Sequence, residues 1–580
     1  MKKIIAVLLA LVLVFGLVAC GSGGQSSEET DILGTGPNER VTHVSSTEWD
    51  GALPLVQEGE DNKLSIGIRT NANVLDFETN EFTLWLEEQT GLDLEFVVFG
   101  ANSGDAATQI SLMVAGGEEL PDILIGFSGI GKTLAKEYGN DGYLVDMSSF
   151  YQTDAYYLNQ TMDLYYPDPA EREEFESFLL ANITDPVTNN MFWYPVTWQN
   201  PGDTNLSHIW INQDWLDALG LTAPTNIDEL YDVLVAFRDG DPNGNGIKDE
   251  IPMIGRMSDQ FAIVQWVMNA FTYHYAKYKF HVEDGVVSAP FHTDEYREAV
   301  IFLRKLVDEG LLSPLTWTAS NEELTALINP TGDFTVGITA APGDVRFEEG
   351  HESMFVYEPL APLADATGRG GWAPTSPDLV SYPNFITLDC ENPRLAFRFM
   401  DFFNTPECYL RSRWGVPGRD WEYLEEPVEG SGMLGGVARI RVINDKVSSE
   451  VNNVTWHSNG LGLSSEKYWQ KLTELNDGSW SSELYGDLQQ IVANYENGKQ
   501  PEQNLYIVER SEEDDEAYSD CNADIQSYYS TALAEFCNGI RNPSDDGDWN
   551  KYLSDLEGLG YHDTWLPIAQ KSWDHEQSLK

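Results

Sequence analysis

The earliest regularity along the chain is an apolar run over residues 4–19 (IIAVLLALVLVFGLVA), preceded by Lys2 and Lys3. It falls short of the roughly 20 residues a spanning helix needs, and suits the core of an export signal. From residue 61 onward two periods alternate. Lys63–Arg69 (KLSIGIR) places apolar side chains on alternate positions, as a strand does. Glu81–Thr90 (EFTLWLEEQT) has helical spacing and stops at Gly91, a helix-ending signal. Residues 92–99 (LDLEFVVF) predict a second strand, 105–114 a helix ended by Gly116-Gly117, and 121–125 (PDILI) a buried strand. Strand and helix in alternation at these spacings predict a parallel α/β sheet. Further along, Ile209–Asn212, 334–339 (FTVGIT) and 385–388 read as strands. Gln213–Leu219, 226–238, 293–309 and 393–404 read as helices. From about residue 466 the pattern is mostly helical, with 483–495 and 523–536 the clearest. There is no internal repeat. The acidic stretches 511–516 (SEEDDE) and 545–548 are expected to be solvated loops.

Composition narrows the function classes. The 580 residues hold 34 Lys+Arg against 94 Asp+Glu, a net charge of −60. That excess repels phosphate backbones and anionic lipid headgroups, which argues against nucleic-acid binding. With 42% hydrophobic and 12% aromatic residues the chain still builds cores. The apolar run closes on Leu17-Val18-Ala19-Cys20 before Gly21, which resembles the lipobox of bacterial lipoproteins. There the Cys thiol is lipidated and cleavage leaves it as the first residue, so residues 1–19 are read as signal peptide and Cys20 as the lipidation site. A plain secretory signal with an incidental Cys20 is the other reading. Residues 20–60, rich in Gly, Ser, Glu, Thr and Asn, are expected to form a flexible tether. Cys521 and Cys537 flank one predicted helix, which puts their Cα atoms roughly 24 Å apart at 1.5 Å per residue. Cys390 and Cys408 straddle another. All four are expected to be isolated buried thiols.

One loop carries a mechanism. Residues 241–250 (DPNGNGIKDE) place oxygen side chains at Asp241, Asn243, Asn245 and Asp249, positions 1, 3, 5 and 9 of an EF-hand-type loop. Gly246 occupies position 6, the sharp turn, and Ile247 can offer its carbonyl at 7. Position 12 holds Pro252 where that loop has a bidentate Glu, so Glu250 with Asp249 is the replacement. An Asn/Gly-rich turn without an ion is the alternative.

Residues 210–253, WINQDWLDALGLTAPTNIDELYDVLVAFRDGDPNGNGIKDEIPM, resemble the hallmark stretch of family 1 extracellular solute-binding lipoproteins of the LipO-like branch. The matches run from Trp210 through Asp214, Trp215, Leu216, Gly220, Leu221, Pro224, Asp228 and Glu229 to the whole loop. Asn212 stands where an Arg is usual, and Asn226 replaces a Thr helix cap with equivalent capping chemistry. LPDILIG at 120–126, GYLVDMSSF at 142–150 and WGVPGRDWEY at 414–423 match more loosely.

The resemblance implies a periodic sequence of consequences. The fold would be α/β and periplasmic-binding-protein-like: two α/β lobes joined by a multi-crossing hinge, with a helical C-terminal region. The N-terminal lobe would comprise 61–193 and 362–405, and the C-terminal lobe 198–358 and 410–580. Crossings would lie near 194–198, 358–362 and 404–411. The loop would hold a structural Ca²⁺ on Asp241, Asn243, Asn245, Ile247, Asp249 and Glu250. The protein would be a monomer anchored by lipid on the extracellular face of the membrane, handing its ligand to an ABC-type permease by closing a cleft, with no bond made or broken. Seventeen Trp and 26 Tyr point to an oligosaccharide or glycoside, because sugar C–H faces stack on aromatic rings. By position the candidates are Phe127, Tyr194, Trp198, Trp266, Trp372 and Trp414, with core or hinge packing as the alternative for each. An anchored carbohydrate-active hydrolase, or a surface binding or sensor protein without transport, are the rival functions; neither nucleophile elbow, zincin helix nor P-loop is present.

Overall fold

The computed structural model describes residues 48–579 apart from 58, 186–187, 199–207, 257–262, 276–278, 341–346, 349, 366, 375–378, 433–435, 445, 458–461, 465–467, 473–479, 506–509 and 511. The N-terminal pattern folds as its alternation predicts. β1 (Lys63–Arg69) lies between β2 (Asp93–Phe99) and β3 (Ile123–Ile125), parallel to both. Being central, it is covered on both faces, which explains why Gly67 is needed: a Cβ there would sit 2.7 Å from the Leu124 side chain. The helix Glu81–Thr90 begins where Asn80 accepts from the Phe82 amide and ends at Gly91, whose φ of 76° suits a residue without Cβ. β11 (Leu379–Ile386) then adds antiparallel to β3, followed by β4 (Tyr194–Trp198) and β14 (Gly462–Leu463), giving the order β14-β4-β11-β3-β1-β2. The first core gathers on this sheet, from Val56 to Tyr194 and again from Phe385 to Cys408.

A second sheet has the order β10-β5-β9-β6, built from β5 (Ile209–Asn212), β6 (Ile251–Met253), β9 (Val336–Ala340) and β10 (Tyr357–Pro359). All four residues of β5 and all five of β9 are buried, as befits inner strands. The helices Gln213–Leu219, Ile227–Asp239 and Asp294–Asp308 supply its core together with Glu512–Cys537, Asp546–Gly558 and Leu566–Leu579. Two small three-stranded sheets complete the chain: β16-β7-β8 from Gln503–Leu505 (β16), Phe280–Glu283 (β7) and Val286–Ser288 (β8), and β12-β13-β15 from Trp421–Val428 (β12), Ala438–Val442 (β13) and Gln470–Lys471 (β15). The four cysteines are free and buried, as their spacing predicts.

Four expectations are corrected. The tether stops short of residue 60: Trp49 packs edge-on to Tyr156 and Tyr157, the Leu55 amide bonds to the Thr90 carbonyl, and Val56 joins the first core. These apolar residues are too few and too scattered to show a period. Residues 414–471, assigned to the C-terminal lobe, pack on the first lobe instead. Trp456 is fully buried among Phe77, Phe82, Phe96 and Phe403 and donates to Thr83 Oγ1 (2.8 Å). Two crossings also move. Residues 357–363 remain in the second lobe, the chain regaining the first only at β11, and 404–411 belongs to the first core through Cys408. The passages between lobes therefore lie between Trp198 and Ile209, between Ala373 and Leu379, and between Leu472 and Trp480. Finally, residues 512–516 open the helix Glu512–Cys537 where a loop was expected. Carboxylates near a helix N-terminus are favoured by the helix dipole, so an acidic run marks a helix start as readily as a loop.

Candidate functional site: strand ends beside the hinge

In the first lobe β1, β2 and β3 run parallel and end together. Arg69 ties their ends: Nε donates to the Gly126 carbonyl (2.5 Å) and Nη1 to the Ala101 carbonyl (2.8 Å). The Gly126 amide donates to Asn384 Oδ1 (3.1 Å), which brings β11 to the same rim, and Ser103 and Ser128 share a hydroxyl hydrogen bond (2.9 Å). Carboxyl ends of parallel strands are where open α/β sheets bind ligands, because helix starts and loops converge there. The hinge lies on the same edge, since β4 leaves at Trp198 opposite Leu379, the start of β11.

The six aromatic candidates are not brought together. Phe127 is fully buried against Phe99 in the first core. Tyr194 is fully buried too, donating to Asp401 Oδ1 (3.2 Å) and accepting from Asn404 Nδ2 (2.7 Å). Trp266 belongs to the second core and donates to the Ala361 carbonyl (3.1 Å). These three have no open ring face, so burial withdraws them from sugar stacking. Trp372 lies just before the second crossing, 8% exposed, with Lys499 Nζ 3.6 Å from its ring centroid and Tyr273 edge-on. Trp414 is half-buried beside Arg413 and Lys471. Trp198 ends β4 at the first crossing, its side chain outside the described residues.

Sequence reasoning missed two groups. Tyr423, Tyr468 and Trp469 form an aromatic cluster on the sheet β12-β13-β15, where Trp469 Nε1 donates to Tyr165 Oη (2.9 Å). The other is acidic: Glu358 on β10 faces Glu483 and Asp487 on the helix Trp480–Glu496. Burial, reinforced by Glu358 and Glu483, pushes the Asp487 carboxyl up to about 9. Among 94 acidic residues no local signal distinguishes these three.

The 241–250 loop links the helix Ile227–Asp239 to β6. Asp241 adopts a positive φ of 49°, and both its carboxylate oxygens accept from the Gly246 amide (3.2 Å each). Asn245 Oδ1 accepts from the Ile247 amide (2.7 Å), while its Nδ2 approaches Asp249 Oδ1 (3.3 Å). Among the described residues no three Asp, Glu, His or Cys side chains converge on a metal-sized point. The set depends instead on amide and carbonyl oxygens beside the carboxylates, which suits a hard oxygen-seeking cation. Among the described residues Glu250 Oε1 is buried without a hydrogen-bond partner, an acceptor that such a cation would satisfy. The residues fit Ca²⁺. Cys20 lies outside the described residues, and among those described no helix is long and apolar enough to cross a membrane.

Known proteins place this architecture. The chain is 28% identical over 381 residues to the fructooligosaccharide ABC transporter substrate-binding protein FusA of Streptococcus pneumoniae, covering 64% of this chain and 66% of FusA. It is 28% identical to Lipoprotein LipO of Bacillus subtilis, over 37% of this chain and 43% of LipO. Thus it spans less than two thirds of the length of these relatives. Solved structures of FusA, one in complex with kestose and one an EF-hand mutant in complex with fructo-nystose, each superpose with a TM-score of 0.68 at 22% identity, covering 89% of this chain and 100% of theirs. The fold is that of periplasmic-binding-protein-like solute-binding proteins. Residues 72–407 match the model of the bacterial extracellular solute-binding proteins, and the chain belongs to that family.

Proposed function

We propose that this protein is a lipid-anchored extracellular receptor that closes on an oligosaccharide or glycoside and delivers it, chemically unchanged, to an ABC-type permease. The observation that carries the reading is that β4 and β11, which flank the first two crossings, meet at the sheet edge where Arg69 ties the ends of the parallel strands. A ligand touching both lobes there makes its full set of contacts only when they close, so binding shifts the population toward the closed form. The carbohydrate class is supported by the likeness to FusA. For stacking we propose Trp414, which is half-buried, and Trp198, which ends β4 at the first crossing; Trp372 is buried like the other three and carries Lys499 over its ring.

Asp241, Asn243, Asn245, Asp249, Glu250 and the Ile247 carbonyl are the ligands we propose for one structural Ca²⁺. It would bind the loop of the folded state and lock the end of the helix Ile227–Asp239 to β6. Cys20 is the proposed anchor; LipO, itself a lipoprotein, supports this. The test is titration of the protein with kestose, nystose and a glycan panel, followed by tryptophan fluorescence, with mass spectrometry of the recovered sugar. Saturable quenching or enhancement with a sugar of unchanged mass is expected. A cleaved sugar would make the protein a hydrolase, and a response to peptides alone would refute the carbohydrate class.

A further inference from the structure

Resting on that reading, we propose that Asp487, flanked by Glu358 and Glu483, is the second lobe's contact for a hydroxyl group of the bound sugar. The position follows from the topology. Glu358 pairs with Ile211, the third residue of β5, so it lies close behind the first crossing. Glu483 and Asp487 occupy the first two turns of the helix that opens at Trp480, immediately after the third crossing. β10, which pairs with the strand after the first crossing, and the helix after the third crossing therefore bring three carboxyl groups to one corner of the second lobe.

The chemistry follows from what Asp487 lacks. It is 5% exposed, yet its Oδ2 has no hydrogen-bond partner among the described residues. Such an atom gives up protein and bulk-water partners on burial and gains from any group that hydrogen-bonds to it. Among the described residues, the charged groups that act on it are Glu358 from the strand and Glu483 from its own helix. The short turn Glu352–Phe355, which also packs on this helix, adds Glu352, exposed, and His351, engaged with Ser353 and the Pro330 carbonyl. Burial among carboxylates keeps Asp487 protonated at neutral pH, its carboxyl lying at about 9. A protonated carboxyl offers one donor and one acceptor, the complement of a sugar O–H, which is itself both. Ionisation at higher pH removes the donor, so affinity is expected to hold to about pH 8 and to fall roughly tenfold per pH unit above about 9.

The test measures kestose and nystose affinity for the full chain from pH 6 to pH 10, with melting curves at each pH. Asp487→Asn keeps a donor and an acceptor and cannot ionise. It is expected to bind within about threefold of the wild type at pH 7 and to lose the fall above pH 9. Asp487→Leu is expected to bind at least tenfold more weakly at pH 7 with its melting midpoint retained. If Asp487→Leu fails to fold, the Asn profile decides alone. Unchanged affinity in Asp487→Leu, or an alkaline fall that persists in Asp487→Asn, overturns the proposal while leaving the oligosaccharide reading intact. Silence of the wild type toward both sugars and the whole glycan panel overturns that reading, and this proposal with it.

Discussion

Asp401 offers a direct measurement of what burial costs beside the first crossing. Its carboxyl is fully buried and accepts from the Tyr157 amide (2.7 Å), the Leu158 amide (3.1 Å), Tyr194 Oη (3.2 Å) and Asn404 Nδ2 (3.4 Å). None of these donors is charged. Arg398, one turn earlier, is spent on Asp154, and the other ionisable neighbours are Tyr151 and Tyr157. Burial outweighs the hydrogen bonds and raises the carboxyl from 3.8 to about 7. Because the folded value exceeds the unfolded one, the native state binds the extra proton between them. Stability from this group is full below about pH 4 and is lost as pH rises through 7. At 1.36 kcal/mol per pH unit the whole loss is roughly 4 kcal/mol, of which about 2–3 kcal/mol falls between pH 5 and pH 8. Asp401→Asn cannot ionise; its single carbonyl oxygen keeps one of the two bonds that Tyr157 N–H makes to Oδ2 and Leu158 N–H to Oδ1, a loss that is the same at every pH. Urea unfolding of the two proteins at pH 5 and pH 8 should show the variant gaining about 2–3 kcal/mol on the wild type across that range. Parallel stability curves would refute the assignment, because every other titrating group is common to both.

Two further outcomes test the loop and the anchor. A chelator is expected to lower the melting midpoint by a few degrees, since an ion present at 100 times its Kd stabilises the fold by about 2.7 kcal/mol; Asp241→Ala should melt at the lower temperature and ignore the chelator, and an indifferent wild type would mean an empty turn. Metabolic labelling with a palmitate analogue is expected to mark the wild type and not Cys20→Ala, so equal labelling of both would exclude Cys20 as the anchor.

Where an element is set by its own hydrophobic period and its cap residues, the sequence by itself determined the structure. Lys63–Arg69, Glu81–Thr90, Ile209–Asn212 and Gln213–Leu219 have the boundaries that period and cap residues predict. The isolation of the cysteines was equally local, a matter of rise per residue along the helix Glu512–Cys537. The proposed cation loop at 241–250 could be read along the chain because all its candidate oxygens lie within ten residues. Tertiary structure alone decided the rest. Trp456 returns to fill the first core more than 370 positions after Thr83, its hydrogen-bond partner, and a single large apolar residue carries no period to announce that. The same applies to the aromatic candidates: Phe127, Tyr194 and Trp266 have the composition of a sugar platform and the burial of a core. Whether a ring face is open depends on neighbours from distant segments, as does the burial of Asp487 among so many other carboxylates. Spacing along the chain sets local conformation, whereas exposure and charge environment are sums over contacts that the fold alone assembles.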